Sequence, residues 1–440
     1  MTALHLPITF DDERPRSTWP IKTGILLLIL FGMAMWSLDA SQKFAAAEAG
    51  GVGGAEDLTD RISTGMFQRQ LAFLIMGVYG LWSIMLPTPR TTRVHWVLVY
   101  PLIVFVLWVT ASAFWSVDRS MTLKRLLVLS CMLLAIVSVV RRFDLRQLAQ
   151  IAFVISGLTA LIGIPNEAYV LGSGAVSWGK WRFSGTLHPN HAGLNAIVLM
   201  LSSLYLLRMS KNKLFLLTFF VGFGILLVTK SRTALMSGVT AIVAFLLLAT
   251  STSRVGVALL LAGWGVAAVL WLSSMQITPD INAIASMGRE DLKKADVKKL
   301  TGRTDIWKFA LMQGNRDPNR MMIGYGYETF WNPINVRGVS EYVKFKISEG
   351  HNVYLDWYLD TGLVGVGLYV LILMTAIGRW AKAARVLSSP TAALAAAVLI
   401  GALVHGLTES TLADPGVPTF FSYAVICAAA FVRPDEEASI

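Results

Sequence analysis

Runs of roughly 20 apolar residues recur along the chain, each long enough to cross the hydrocarbon core of a bilayer as a helix. Read in order, they fall near 21–38, 71–87, 96–115, 123–140, 150–165, 191–207, 214–229, 234–249, 255–273, 353–377, 390–408 and 418–432. Hydrocarbon offers no partner for backbone N–H and C=O groups, so such runs must satisfy them internally as helices. The sequence therefore predicts an all-α fold: a polytopic membrane helix bundle of about 12 transmembrane helices. Composition agrees. Of the 440 residues, 55% are hydrophobic and 15% charged, where soluble domains sit nearer about half and a quarter. The expected organisation is one integral membrane domain over 1–440, with a large loop at 274–352 inside it.

Cys131 and Cys427 both lie inside apolar runs, so no disulfide or metal framework follows from them. The run Ile21 to Leu38 follows Arg14, Arg16 and Lys22, and is longer than a signal-peptide core. It reads as a retained span.

The net charge of +11 has to be divided by side of the membrane before it says anything about partners. With the N-terminus cytoplasmic, the inner segments carry sixteen Lys/Arg and the short outer segments ten. That bias puts both termini inside and the 274–352 loop outside. The outer face is nevertheless unusually basic, which opposes topology and asks for an anionic ligand there. No nucleic acid is implied.

Three outer-face motifs carry candidate chemistry besides the long loop. Trp115-Ser116-Val117-Asp118-Arg119-Ser120 reads either as a tight turn with Ser120 capping the next helix, or as a turn that aims Arg125 into an outer cavity. In Trp181 to Gly193, Gly185 and Pro189 force a bend and Asn190 can cap the helix that follows. Arg182, just ahead of that helix, suits a phosphate. His188 and His191 have a spacing a metal could use, but no third ligand accompanies them. In Lys230-Ser231-Arg232-Thr233, two cations stand at the hydrocarbon edge. They either snorkel or, for Arg232, bind a phosphate bidentately as Lys cannot.

The long loop holds twelve Lys/Arg against nine Asp/Glu, with Trp307, Tyr325, Tyr327 and Trp331 interleaved. Arg303 stands before a helix that Thr304 can cap, with Trp307 and Leu311 on one face. Tyr325 and its neighbours either stack on sugars or pack a core. The loop ends in Glu349-Gly350-His351-Asn352. His351 is either a solvated interface residue or a base for an attacking hydroxyl. Asp356 or Glu349 could orient it.

In this order the motifs resemble the O-antigen ligase and polysaccharide polymerase family of bacterial envelope proteins. The resemblance rests on Trp115-Ser116, Arg182 with His188-Pro189-Asn190, Ser231-Arg232-Thr233, Gly302-Arg303 before Ile306-Trp307, Gly324-Tyr325-Gly326, His351-Asn352-Val353-Tyr354-Leu355 and Gly362-Leu363-Val364-Gly365. It implies a helical membrane bundle of the C type of glycosyltransferases in the bacterial inner membrane, with its active face periplasmic. The implied reaction moves an oligosaccharide from an undecaprenyl-pyrophosphate carrier to a hydroxyl acceptor, a growing glycan or lipid A-core. Neither metal nor cofactor is implied. Carried across, His351 matches the family's base or acceptor-positioning histidine. Arg232 and Arg303 match the pyrophosphate-holding arginines, with Arg182 a third. Arg125, Lys230, Asn190, Tyr325 and Asn352 are expected in support. The Phe330-Trp331 ending and His351-Asn352 look closer to exopolysaccharide polymerases than to lipid A-core ligases. His188 departs from many of those polymerases.

Three rivals follow from the same residues. The first is ligation rather than polymerisation. The second is secondary transport, which generally needs mid-membrane carboxylates, whereas Asp356, Asp360 and Glu409 lie near span ends. The third is a non-catalytic scaffold.

Overall fold

The computed structural model describes residues 67–87, 94–172, 181–249, 303–343, 347, 349–410 and 416–431. Every regular element among them is helical. The apolar part begins with α1 (Phe67–Met85), α2 (Trp96–Ala111), α3 (Arg119–Arg142), α4 (Leu145–Gly172), α5 (Pro189–Ser210), α6 (Leu214–Val228) and α7 (Arg232–Ala249). The polar segment contributes α8 (Arg303–Gly314), α9 (Pro318–Ile323) and α10 (Pro333–Val343). Then α11 (Val353–Val386), α12 (Pro390–Gly406) and α13 (Val417–Phe431) return to apolar sequence.

Among the described residues, six helices are long and apolar enough to cross a membrane: Trp96–Phe114, Arg119–Arg142, Leu145–Tyr169, Pro189–Ser210, Arg232–Ala249 and Val353–Val386. Shorter apolar helices occupy Gln70–Met85, Leu214–Val228, Pro390–Gly406 and Val417–Phe431. Each coincides with a run read from the sequence. The runs at 21–38 and 255–273, and the loop stretch 274–302, lie outside the described residues.

The bundle packs α7 on α12, α1 on α3, α5 on α6 and α11 on α12. Small residues set how close these pairs come, because lipid is as apolar as leucine and close contact must supply the attraction. A Cβ on Gly80 would lie 2.5 Å from the Ala135 nitrogen, and one on Gly193 2.5 Å from the Ala234 Cβ. On the outside, Val97, Leu107, Leu217 and Phe220 are exposed, as a lipid-facing surface requires.

Three caps differ from expectation. Asp118, not Ser120, caps α3, accepting from the Met121 amide at 2.9 Å. A carboxylate there also faces the positive end of the helix dipole. His188, not Asn190, is the N-cap of α5. Thr304 lies inside the first turn of α8 rather than ahead of it.

The polar segment is fastened to the bundle by a break in α11. Gly362 has φ +73°, and a Cβ there would overlap the Met322 carbonyl. The break leaves three helix carbonyls without intrahelical partners. Leu359 O accepts from the Tyr325 amide at 2.9 Å, Asp360 O from the Gly326 amide at 2.9 Å, and Thr361 O from Trp108 Nε1 at 2.9 Å. The Trp115-Ser116 turn completes the dock: Trp115 Nε1 donates to Ile323 O at 2.9 Å, and the Val117 amide to Tyr325 O at 2.9 Å. Beneath the dock, Trp357 stacks between Tyr327 and Tyr369, with centroids 5.6 Å and 5.5 Å away.

Candidate active site

The site is centred on a residue in the turn that ends α12. Helix α12 stops at Gly406, and the following turn buries Glu409, whose side chain is 3% exposed. A buried carboxylate needs a cation or several donors. Glu409 has both. Arg303, the first residue of α8, forms a close ion pair with its Oε1. Asn190 Nδ2 donates to the same oxygen at 2.7 Å. His351 Nδ1 lies 3.4 Å from its Oε2 and 2.9 Å from Glu349 Oε1. Both carboxylates act on the imidazole through charge.

His351 sits in the left-handed region, with φ +49°. For a residue with a Cβ this costs on the order of 1 kcal/mol and persists only where the flanks enforce it. They do. Trp307 Nε1 donates to Gly350 O at 2.8 Å, and the Asn352 amide to Ser410 Oγ at 3.1 Å. Asn352 then caps α11, accepting from the Tyr354 and Leu355 amides at 3.0 Å, and donates to Leu407 O at 3.0 Å. These contacts hold His351 in place.

Arg182 joins through Asn190. Its guanidinium donates to Asn190 Oδ1 at 3.0 Å and to Thr229 O at 3.0 Å. The bend that carries it is fixed by buried Glu167, which accepts from Trp181 Nε1, the Ser184 amide and hydroxyl, and the Gly185 amide at 2.7–2.8 Å. Arg232 opens α7 directly after the Lys230 turn (φ +51°). Its neighbour Thr233 shares a 2.7 Å hydroxyl hydrogen bond with Thr408, the residue before Glu409. Arg182, Asn190, Arg303 and His351 therefore form one network, and the start of α7 borders it.

Two expected supporting residues stand elsewhere. Arg125 is paired with Glu328 at 2.8 Å, inside the dock. Tyr325 packs on Phe330, donates its hydroxyl to Gln313 O at 2.8 Å and lies under the Arg320 guanidinium at 5.3 Å. The first is engaged because a positive-φ turn brings Glu328 to it; the second belongs to the loop's own core.

Charge states follow from these contacts. Burial opposes charging His351, but the carboxylates of Glu349 and Glu409 outweigh it and raise the imidazole to about 10. It is imidazolium at neutral pH. Burial likewise opposes ionisation of Glu409, yet Arg303 and His351 hold it well below the usual carboxylate range. Glu349 is also lowered, with His351 overcoming burial. His188 goes the other way: burial, then His191 and Arg182, bring it down to about 3. Neutral, it can accept from the Asn190 amide, which lies 3.4 Å from its Nδ1. Asp356 does not orient His351. It is taken up by Trp331 Nε1 at 2.8 Å, the Gly350 amide at 3.1 Å and the Ser410 hydroxyl.

Glu349, His351 and Glu409 offer three ligand atoms within 4.8 Å of one another, a spacing that a divalent ion could use. Arg303 and the His351 imidazolium already balance the two carboxylates, so the cluster is neutral as it stands.

Glu409 is the functional residue that sequence reasoning passed over. Its signal was present: an acid at the end of an apolar run, in a chain whose outer face carries surplus arginine.

Taken together, these features define a helical membrane protein with a buried cluster of guanidinium, imidazolium and carboxylate groups at one end of its bundle. A family model described as O-Antigen ligase matches residues 217–370. Over that stretch the chain is similar to the O-antigen ligase family. The matched stretch runs from α6 into α11 and contains Arg232, Arg303 and His351. Members are membrane glycosyltransferases and ligases, and the match supports glycan transfer as the activity. Comparison with curated proteins finds no match.

Proposed function

We propose that this protein moves an oligosaccharide from an undecaprenyl-pyrophosphate carrier to a hydroxyl acceptor, polymerising exopolysaccharide or O-antigen repeat units. It works as one integral membrane unit of about 12 spans in the bacterial inner membrane. Both termini are cytoplasmic, and the 274–352 loop is periplasmic. The observation that carries this reading is the convergence of Arg303 and His351 on Glu409, with Arg182 joined through Asn190.

The chemistry is a displacement at the anomeric carbon. The acceptor oxygen forms a bond to that carbon as the carbon–oxygen bond to the diphosphate breaks. The leaving diphosphate takes the bonding pair. Guanidinium groups already aimed at it stabilise that charge, as a divalent metal does in other sites. The reaction accordingly needs no metal. The hydroxyl proton passes to the His351–Glu349 pair, whose facing atoms lie 2.9 Å apart, and the positive charge the pair's imidazole carries stands near the diphosphate.

The test uses purified protein, a lipid-diphosphate-linked glycan and EDTA, with product size read on a gel. A ladder of elongated glycan supports polymerisation. A single capped acceptor supports ligation to lipid A-core. Activity lost in EDTA and restored by a divalent ion overturns metal independence and points to the Glu349–His351–Glu409 triplet.

A further inference from the structure

We propose that Glu409 is the positioning residue of this site: it holds Arg303, Asn190 and His351 on one carboxylate and yields Arg303 to the incoming diphosphate. The proposal deepens the function proposed above and rests on it.

The argument begins with what surrounds the carboxylate. A guanidinium, an amide N–H and an imidazolium converge on its two oxygens. That is the donor set that recognises a phosphate oxygen. The groups come from three separate elements: α8, the first turn of α5, and the loop end before α11. No two of them are neighbours in sequence, and the Glu409 carboxylate is the acceptor all three share. Asn190 is pre-set by Arg182, and His351 by its pinned flanks.

A carboxylate in this place also opposes the ligand. It carries the same sign as a diphosphate and occupies Arg303, the cation the diphosphate needs. Donor binding must therefore exchange one anion for another on Arg303. Glu409 keeps its remaining partners, Asn190 Nδ2 and His351, through the exchange. The empty site thus avoids a stranded buried guanidinium, at the expense of affinity.

The experiment separates this role from a plain structural clamp. Full-length wild type, Glu409→Gln and Glu409→Asp are titrated with inorganic pyrophosphate by calorimetry and assayed for transfer from the lipid-diphosphate donor. Glu409→Gln removes the competing charge, so pyrophosphate binds roughly tenfold tighter and donor KM falls in step. Its kcat falls at least about tenfold, because the gathered geometry loses its anchor. Glu409→Asp keeps the charge but is one methylene short, so kcat falls with no gain in pyrophosphate affinity. A clamp alone would weaken both binding and turnover, in proportion to protein lost to misfolding. Pyrophosphate affinity in Glu409→Gln that is no tighter than wild type, at equal folded fraction, overturns the proposal. Should that variant not fold, infrared difference spectra of wild type decide. Pyrophosphate is to shift a carboxylate band that moves in Glu409→Asp, and an unmoved band overturns the exchange. Wild type that binds pyrophosphate this way yet transfers no glycan would sink the proposed function while leaving the role of Glu409 standing.

Discussion

Removing Arg303 should loosen the polar segment before it abolishes chemistry, and the size of the effect follows from the neighbours of Glu409. Arg303→Met leaves a carboxylate only 3% exposed without its guanidinium. Breaking a buried ion pair from one side costs about 3–5 kcal/mol. Here the His351 imidazolium at 3.4 Å and Asn190 Nδ2 at 2.7 Å remain. They bring the expected loss down to about 2–3 kcal/mol. The double variant Arg303→Met, Glu409→Gln strands neither charge and should return to within about 1 kcal/mol of wild type. The loss falls on docking of α8 against the bundle, so the assays are hydrogen exchange of the α8 amides and limited proteolysis of the loop, beside global unfolding in mixed micelles. Both variants lack the guanidinium and should fail to transfer glycan. A stable but inactive double variant is the signature of the arrangement described. An Arg303→Met protein as protected as wild type, or a double variant no better than the single, would refute the reasoning.

Further outcomes are expected elsewhere. Gly362→Ala places a Cβ on the Met322 carbonyl at φ +73° and should cost more than about 3 kcal/mol, read as loss of folded protein and of exchange protection at Tyr325 and Gly326. The His351 imidazole should titrate near 10 by NMR, and Glu349→Gln should bring it down markedly. The linked stability has a definite sign. A raised histidine contributes fully below its unfolded value near 6.5 and is lost as pH climbs through about 10. The depressed Glu349 and Glu409 contribute above about 4.5 and lose their share as acid protonates them. Loop docking should therefore be firmest between about pH 5 and 6.5, weaken steadily as pH climbs towards about 10 and weaken again in acid, which proteolysis across pH will check. Arg232→Lys should lose most transfer at equal expression because the planar fork is gone; near-normal product from that variant would remove Arg232 from the site.

The bundle was legible in the sequence because hydrocarbon imposes a length and polarity rule that side-chain detail cannot override. Arg303 and His351 were legible as an arginine before a helix and a histidine at a loop end, and the structure brings them together on Glu409. What joins them was not. Glu409 follows Arg303 by 106 positions and Asn190 by 219, and no local pattern reports a contact of that range. The cap expected of Asn190 went to His188 for a related reason. Its position ahead of a helix suits a cap, but His188 is held neutral by burial and can take that role, which frees the amide to bridge Arg182 and Glu409. Arg125 and Tyr325 share residue types with the site but serve the dock, a difference of placement that composition cannot express.

The break at Gly362 also fixes how high the chemistry stands. Helix α11 has 34 residues, about 51 Å of rise, against a hydrocarbon layer of about 30 Å. The stretch after Gly362 alone supplies about 36 Å, enough to cross. Were that stretch to fill the hydrocarbon, residues 353–361 would form a post about 14 Å tall beyond it, with His351 and Glu409 at its head. On the proposed function, that height would let a prenyl chain stay in the oil while its charged linkage meets the arginines.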